Sequence, residues 1–421
     1  MKGEIFQLDF NNIKNCLGIN GLGRIGKLTL WYQLHENHFD GFIVNVGRPV
    51  GTSLIDIANL IGTDSTYGSM EKFLYGIKAN KDIKIIDEKE NLLEIFGKPV
   101  KILCKERNPK NINWKEHGVK IVIDTTGVFN DPTVSEDNDI GSLRGHLFAG
   151  AKKIINSAPF KIKDKSRKIP EDCSTLIYGI NHTSFNPNKH NIISAASCTT
   201  TALAHMIKPL LERRETKDIL TASLSAIHAA TNSQRVLDSL PGAYESDLRK
   251  NRMVFNNIIL STTGAASTLD KVLPEVSKIG FMADSVRIPT DTVSLIILNL
   301  TFHTYLDKKG NSIISREFLN QIYQESAHGP QKNLLCYCDN QNVSSDLKGK
   351  LFAVVIEGHA THTRTGFISL NAGMLSEAGL STSKTMNIPI THSTLFGWYD
   401  NEYGSYVHCL GKLAIYIDRN L

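Results

Sequence analysis

At 421 residues, the chain is too long for one ordinary hydrophobic core and predicts two or three domains of roughly 100–200 residues each. Its 41% hydrophobic and 21% charged residues are typical of a globular protein and exclude a disordered or fibrous class. The formal charge is only +5, and the basic residues are dispersed without forming a stripe, so we expect no nucleic-acid partner.

The cysteines and the apolar runs bear on the compartment. Seven cysteines stand at irregular spacings, an odd number that argues against a disulfide framework. No stretch approaches the roughly 18 apolar residues of a membrane helix, and the N-terminus shows no apolar run of the signal-peptide type. We therefore expect a cytoplasmic protein that has no membrane partner.

The first half of the chain has the spacing of strands and helices that predicts a doubly wound parallel sheet. It opens with an apolar strand at 16–20, a glycine turn, an amphipathic helix at 27–34 and a second strand at 42–46, which is the length of a first βαβ unit. Further buried strands are predicted at 83–86, 100–103, 119–124, 153–156 and 175–178.

The turn after the first strand carries a dinucleotide-binding signature. Gly21, Gly23 and Gly26 allow a sharp turn, admit a pyrophosphate close to the backbone and point helix N–H groups at its charge. The acidic residue expected at the end of the second strand is absent, and Arg48 follows that strand instead. An arginine there can pair with a 2′-phosphate, so both NAD and NADP stay open; the alternative is that Arg48 is a solvated loop residue.

A run of small residues at 194–201 marks the predicted domain boundary. We expect a cofactor-binding domain at 1–197, joined by a C-terminal helix at 403–421, and a catalytic domain at 198–402. After the boundary come a helix at 202–211 and long alternating or apolar runs, which predict an α+β domain with a mixed or antiparallel sheet packed on one face. These runs lie at 219–227, 285–288, 293–302 and 351–357.

Cys198 is the candidate nucleophile. It lies between Ser197 and two threonines that lead into the predicted helix, where the macrodipole and free N–H groups are expected to lower the pKa of a thiol and can stabilise an oxyanion. His228, just after the apolar run at 219–227, is the candidate base that makes the thiolate and later shuttles the proton. The alternatives are a small buried cysteine and a structural histidine.

Hydroxyl-bearing and cationic residues suited to phosphate oxygens cluster in the second half of the chain, since charge-assisted hydrogen bonds are the strong ones. They are Ser197, Thr199, Thr231, Ser233, Arg249, Lys250, Thr263, Gly264 and Arg287. Cysteines at 336 and 338 and histidines at 359 and 362 suggest zinc, but neither pair has a zinc-finger spacing, and we expect no metal site.

Eight stretches, in order along nearly the whole chain, strongly resemble the glyceraldehyde-3-phosphate dehydrogenase family. They lie at 19–26, 64–68, 126–129, 196–200, 228–231, 261–266, 286–290 and 398–404. The resemblance implies an α/β Rossmann cofactor domain, a mixed-sheet catalytic domain and a homotetramer that acts in glycolysis. It also implies that NAD or NADP contacts Asn20, Gly21, Gly23, Arg24, Ile25, Gly26 and Thr126, and that Asn401 holds the nicotinamide amide.

The same resemblance implies a reaction between glyceraldehyde 3-phosphate and inorganic phosphate. Cys198 would attack the aldehyde, with His228 as its base, and hydride would pass to the nicotinamide. Inorganic phosphate would then cleave the thioester to give 1,3-bisphosphoglycerate, so that one hard oxidation becomes two easier steps. The substrate's phosphate would lie near Thr231 and Arg287, and the attacking phosphate near Ser197, Thr199, Thr263 and Gly264.

Four residues depart from the family's pattern: Val46 replaces the ribose-binding acid, and Thr201, Lys250 and Ser405 replace asparagine, arginine and tyrosine. Surface insertions are expected at 131–143, 161–173 and 358–391. Two other functions stay open: an erythrose-4-phosphate dehydrogenase, which hands the thioester to water, and a divergent paralogue that keeps the fold without catalysis.

Overall fold

The computed structural model describes residues 13–80, 82–243, 245–377, 379 and 385–421. The chain forms two compact units: Met1–Ser197 with Tyr406–Leu421, called the first unit, and Cys198–Ser405, called the second unit. The predicted cofactor-binding domain includes residues 1–12, which lie outside the described residues. The predicted insertion at 358–391 includes residues 378 and 380–384, which also lie outside them.

Short apolar strands alternate with helices through the first unit. The strands are β1 (Cys16–Asn20), β2 (Gly41–Asn45), β3 (Thr63–Asp64), β4 (Gly68–Ser69), β5 (Ile83–Asp87), β6 (Leu92–Ile95), β7 (Lys98–Leu103), β8 (Val119–Asp124), β9 (Lys153–Asn156), β10 (Cys173–Thr175) and β11 (Ile192–Ser194). The helices are α1 (Arg24–Glu36), α2 (Leu54–Gly62), α3 (Met70–Tyr75) and α4 (Leu143–Phe148).

The main sheet of the first unit has the order β10-β11-β9-β8-β1-β2-β7-β6-β5. From β10 to β7 the neighbouring strands run parallel. Every residue of β1 and β2 is buried, as expected for a parallel sheet covered on both faces. The Rossmann-type fold predicted from the sequence is confirmed.

Two strand predictions in this unit need correction. The strand predicted as buried at 83–86 is mostly exposed, because β5 is the edge strand of the sheet and pairs antiparallel with β6 alone among the described strands. The strand predicted at 175–178 ends at Thr175. There the backbone leaves the sheet, since the N–H of Ile177 donates to the side chain of Asn181 at 2.8 Å.

The second unit begins with helix α5 (Cys198–Leu211), four residues earlier than the helix predicted at 202–211. Its strands are β12 (Ile219–Ala229), β13 (Ile259–Thr262), β14 (Gly280–Ile288), β15 (Ser294–His303), β16 (Leu335–Cys338), β17 (Val354–Glu357), β18 (His362–Leu370) and β19 (Met386–Tyr399). Its other helices are α6 (Ala265–Val272), α7 (Arg316–His328) and α8 (Ala372–Glu377).

The strands of the second unit form one mixed sheet with the order β13-β14-β12-β15-β19-β17-β16, and β18 adds to β19. Residues along β15 alternate strictly between buried and half-buried, so one face of the sheet is packed as predicted. The predicted mixed sheet is therefore confirmed, with β12–β14 and β16–β17 as its parallel pairs.

The predicted insertion at 358–391 extends this sheet. β18 pairs antiparallel with β19 from His362–Thr394 to Leu370–Met386, so the added length forms a long hairpin rather than an irregular loop. β19 also pairs with β15, which anchors the hairpin in the sheet.

The chain returns to the first unit at Tyr406, and helix α9 (His408–Arg419) follows a π-helical turn. α9 packs closely on α1, because a Cβ at Gly411 would come within 2.2 Å of the ring of Tyr32. The Tyr32 hydroxyl lies 3.1 Å from Nδ1 of His408. No helix among the described residues is long and apolar enough to cross a membrane.

Candidate active site

The glycine turn between β1 and α1 has the shape that its sequence predicts. Gly21 adopts a φ of 98°, and its N–H donates to the carbonyl of Asn45 at 2.8 Å. A Cβ at Gly26 would stand 2.0 Å from the carbonyl oxygen of Gly21, so no larger residue fits there. At Gly23, in contrast, a Cβ would meet nothing within 4 Å. The open space in front of the first N–H groups of α1 fits a pyrophosphate.

Arg24, predicted to contact the cofactor, forms an ion pair with the carboxylate of Asp64. Lys27 lies 2.7 Å from the same carboxylate. Burial opposes ionisation of Asp64, but the hydrogen bond from Lys27, the charge of Arg24 and two backbone N–H groups hold its pKa below the usual value. This ion pair fixes the start of α1 beside the glycine turn.

Asn20 and Thr126, also predicted to contact the cofactor, belong to a buried network around Asp124. The Asp124 carboxylate accepts hydrogen bonds from Asn20 Nδ2 at 2.8 Å, from Thr126 Oγ1 at 2.7 Å and from His146 Nε2 at 3.0 Å. Because the indole of Trp114 donates to His146 Nδ1, the imidazole carries its proton on Nε2. The Asn20 side chain therefore supports the strand ends from within. The roles of Asp124 and His146 in this network were not predicted from the sequence.

The loop after β2 carries Arg48 on its surface. Val46 is half-buried, and Gly47 adopts a φ of 70°, which turns the chain outward. Arg107 Nε donates to the carbonyl of Gly47 at 3.3 Å and so supports the turn. Arg48 is exposed, and none of the described residues forms a hydrogen bond or ion pair with it. Its guanidinium is available to an anion.

The predicted nucleophile and base are in contact in the second unit. Cys198 opens α5 and stays partly accessible, while His228 lies near the end of β12 and is 4% exposed. The distance from Cys198 Sγ to His228 Nε2 is 3.4 Å. His228 Nδ1 lies 2.8 Å from the carbonyl of Ala229, which can only accept, so Nδ1 carries the proton. Nε2 therefore presents its lone pair to the thiol.

The groups around Cys198 shift the pKa of its thiol in both directions. Burial raises this pKa and is the largest cause. The predicted lowering by the hydrogen bonds at the start of α5 is present, together with a lowering by the charge of Arg287, but desolvation outweighs both. Burial, together with Arg287, lowers the pKa of His228 to about 3. The pair is thus a neutral thiol and a neutral imidazole at neutral pH.

Arg287 on β14 lies beside the pair. In the parallel pairing of β12 with β14 it stands level with His228, and its Nη1 donates to the carbonyl of Ala229 at 3.4 Å. Its Nε is buried and has no hydrogen-bond partner among the described residues. A cationic N–H group without a partner is a costly arrangement, and a bound phosphate oxygen would relieve it.

The other predicted phosphate-binding residues lie at or just before the starts of α5 and α6 and on the loop after β12. Thr199 is the second residue of α5, and its Oγ1 lies 3.0 Å from the hydroxyl of Tyr399. Thr231, on the loop after β12, is hydrogen bonded to Ser233 and Gln234. The three remaining residues are Ser197, which directly precedes the nucleophile, and Thr263 and Gly264, which precede α6. Neither Thr231 nor Thr263 is hydrogen bonded to Cys198 or His228.

Two residues near the pair were missed at the sequence level. The ring of Tyr399 packs edge-on against His228, with 6.0 Å between the ring centroids. Ser294 donates to Asn401 Oδ1 at 2.9 Å, so the residue predicted to hold the nicotinamide amide is itself held. Both are buried polar residues on strands, a class that apolar periodicity does not pick out.

The departures from the family's pattern lie in different surroundings. Thr201 is buried in α5, Lys250 is exposed, and the buried hydroxyl of Ser405 donates to the carbonyl of Ala353 at 2.7 Å. Cysteines 336 and 338 and histidines 359 and 362 do not converge, and no group of three metal-binding side chains occurs in the described ranges.

A Rossmann-type unit with a pyrophosphate-compatible turn is joined in one chain to a unit that holds a thiol–imidazole pair, a combination that suits a dinucleotide-dependent oxidoreductase. Residues 16–132 match the model of the glyceraldehyde 3-phosphate dehydrogenase NAD binding domain, and residues 197–372 match that of the C-terminal domain. The chain belongs to the glyceraldehyde-3-phosphate dehydrogenase family and is an NAD(P)-dependent oxidoreductase.

Similar full-length proteins occur in bacteria and fungi. The chain is 33% identical to glyceraldehyde-3-phosphate dehydrogenase of Geobacillus stearothermophilus over 402 residues, which cover 95% of this chain and 97% of that protein. It is 31% identical to the Streptomyces coelicolor protein of the same name, over 96% and 99% of the two chains. It is 30% identical to that of Sclerotinia sclerotiorum, over 92% and 93%.

The two glycines of the turn predict opposite phenotypes. Gly26→Ala should lower the free energy of unfolding by about 1–3 kcal/mol, because its Cβ overlaps the backbone of Gly21. Gly23→Ala should leave stability within about 0.5 kcal/mol of the parent but weaken cofactor binding, because its methyl group occupies the space of the pyrophosphate. Urea unfolding and cofactor titration check both. Unchanged cofactor affinity in Gly23→Ala would contradict the assignment of this turn.

Arg287 should control how readily Cys198 is alkylated. Only the thiolate reacts, and the charge of Arg287 lowers the pKa of this thiol, so the rate with iodoacetamide should rise with pH through the neutral range. Arg287→Leu should shift that curve to higher pH and slow the reaction at pH 8, because the thiolate loses its nearby positive charge. Arg287→Lys, which keeps the charge, is the matched control, and Cys198→Ser gives the background of the other thiols. Equal rates for Arg287→Leu and the parent would contradict the account.

Proposed function

We propose that the protein is a phosphorylating glyceraldehyde-3-phosphate dehydrogenase. The observation that carries this proposal is the Cys198–His228 contact of 3.4 Å, in which the fixed tautomer of His228 turns a proton acceptor toward the thiol. A paralogue without catalysis would have no need for a partly accessible thiol next to such an acceptor. The family resemblance supports glyceraldehyde 3-phosphate and inorganic phosphate as substrates, a glycolytic role and a cytoplasmic location.

The proposed reaction begins with transfer of the Cys198 proton to His228 Nε2 as sulfur attacks the aldehyde carbon. The imidazolium then faces the new oxyanion and stabilises it, and the first N–H groups of α5 add to that stabilisation. The bound nicotinamide supplies the hydride acceptor. Loss of hydride from the hemithioacetal carbon to that acceptor would leave a thioester on Cys198, while the proton taken from the thiol stays on His228. Inorganic phosphate attacks the thioester carbon and releases the Cys198 thiolate and the acyl phosphate.

Arg287 is proposed to bind the phosphate of the substrate. Its buried Nε has no hydrogen-bond partner in the described part of the chain, and it stands directly opposite His228 in the parallel pairing of β12 with β14. The residues that would hold the attacking phosphate are Ser197, Thr199, Thr263 and Gly264, as the resemblance implies. Hydroxyls and helix N–H groups of this kind suit a phosphate that must also leave as part of the product.

The decisive assay follows NAD and NADP reduction at saturating glyceraldehyde 3-phosphate, with and without inorganic phosphate. Sustained reduction should require phosphate, and Cys198→Ser should lose most turnover while it keeps its fold and cofactor binding, because a hydroxyl is a far poorer nucleophile at neutral pH. Sustained reduction without phosphate, with erythrose 4-phosphate as the better substrate, would favour the hydrolytic alternative. No reduction with either aldehyde would favour the paralogue without catalysis.

We also propose that Arg48 meets a 2′-phosphate and that the protein uses NADP. The loop offers no carboxylate to the ribose hydroxyls, since Val46 stands where the family has an acid. Instead it presents the exposed guanidinium of Arg48, with which no described residue pairs.

Arg48→Ala should therefore raise the Kd for NADP by about tenfold and leave the Kd for NAD within about twofold, as expected for the loss of one charge-assisted contact. Lys98→Ala removes a like charge from the start of β7, at the opposite end of the strand from the cofactor edge, and is the matched control. Equal losses for both cofactors in Arg48→Ala would remove this assignment.

A homotetramer, usual in the family, is proposed from the exposed apolar side chains after β12. Leu240 is 92% exposed, Ile258 77% and Leu237 70%, on one loop of the second unit. Exposed apolar residues concentrated in one segment are typical of a surface that another protein chain covers. A second copy of this chain is the occupant that the resemblance implies.

A further inference from the structure

Ser294 connects two parts of the proposed site. It is the first residue of β15, is 1% exposed, and accepts a hydrogen bond from the N–H of Ala229 at 3.0 Å. Its own hydroxyl proton goes to Oδ1 of Asn401 at 2.9 Å. One side chain therefore ties the end of the strand that carries His228 to the residue proposed to contact the nicotinamide.

The Ala229 backbone is a junction of the proposed catalytic residues. Its carbonyl accepts from His228 Nδ1 and from the guanidinium of Arg287, while its N–H is held by Ser294. Both backbone groups of this residue are thus used, and each contact restrains the position of the imidazole. Ser294 is the only side chain in this set that also contacts Asn401.

The hydrogen bond from Ser294 determines which end of the Asn401 amide is available. Oδ1 already has a donor, whereas Nδ2 has no hydrogen-bond partner among the described residues. The Nδ2 of Asn401 can therefore donate to a ligand carbonyl, whereas Oδ1 already accepts one hydrogen bond from Ser294. The carboxamide oxygen of a nicotinamide is an acceptor of the required kind.

The backbone around Asn401 is held by other contacts. The preceding carboxylate, Asp400, accepts from Thr292 Oγ1 at 2.9 Å and from the N–H of Gly349 at 2.8 Å. Its carbonyl accepts from the N–H of Ser405 at 3.0 Å. Loss of the Ser294 hydroxyl should therefore release the Asn401 side chain without unfolding the turn that carries it.

We propose that Ser294 is a positioning residue that holds the Asn401 amide with Nδ2 directed at the nicotinamide carboxamide. The inference rests on the proposed function, in which Asn401 contacts this part of the cofactor. Ser294 should therefore affect binding of the nicotinamide end of the cofactor. It should not affect binding of the adenine, ribose and pyrophosphate groups, which the first unit is proposed to bind.

The test compares binding of the whole cofactor with binding of the fragment that lacks nicotinamide. Calorimetric titration with NAD and ADP-ribose, or with NADP and 2′-phospho-ADP-ribose, gives the two Kd values for each variant. Ser294→Ala should weaken binding of the whole cofactor by about three- to tenfold, the loss expected for one buried hydrogen bond, and leave that of the fragment unchanged. A merely structural role would weaken both equally.

Two variants complete the test. Ser393→Ala also removes a hydroxyl that is 1% exposed in the same sheet, but that hydroxyl has no partner in the described part of the chain, so this control should bind both ligands as the parent does. Asn401→Ala should show the same selective loss as Ser294→Ala, or a larger one. If Asn401→Ala weakens binding of the whole cofactor alone and Ser294→Ala does not, the positioning role of Ser294 is wrong while the proposed contact of Asn401 stands. If Asn401→Ala does not weaken binding of the whole cofactor selectively either, the proposed contact between Asn401 and the nicotinamide is wrong as well.

Discussion

The hydrogen bond from His228 Nδ1 to the carbonyl of Ala229 is the contact on which the proposed chemistry of this site depends. It is made to the adjacent residue, and it commits the imidazole to the tautomer that accepts a proton at Nε2. With the other tautomer, two donors would face each other across the 3.4 Å between His228 and Cys198. Arg287 and Ser294 act on the same Ala229 backbone and so reinforce one geometry.

The resting state of this pair is uncharged, and this has a mechanistic consequence. Burial disfavours both the thiolate and the imidazolium. Arg287 acts on the two groups in opposite directions, because its charge favours the thiolate of Cys198 and opposes protonation of His228. In the proposed reaction the proton therefore moves from Cys198 to His228 as sulfur attacks the aldehyde.

The sequence was sufficient for the fold class and for the family, because short buried strands, the glycine turn and the local order of motifs all leave marks in nearby residues. It was insufficient for the electrostatics. A helix N-terminus is visible in sequence, but the burial that outweighs it at Cys198 depends on strands far away in the chain. For the same reason Ser294 and Tyr399 escaped notice, since a polar residue on a buried strand gains its role only through its cross-strand partner. The hairpin at 362–399 was seen as added length, and its pairing with the sheet needed the structure.

The central claim is that Cys198 carries the oxidised substrate as a thioester, and its most direct test is to trap that species. Enzyme, cofactor and glyceraldehyde 3-phosphate would be mixed without inorganic phosphate, quenched in acid and analysed by intact and peptide mass spectrometry. A mass increase equal to the aldehyde less two hydrogens is expected on Cys198, and it should disappear when phosphate is added before the quench. An enzyme that reduces the cofactor and never carries this adduct, or that carries it on another residue, would contradict the account.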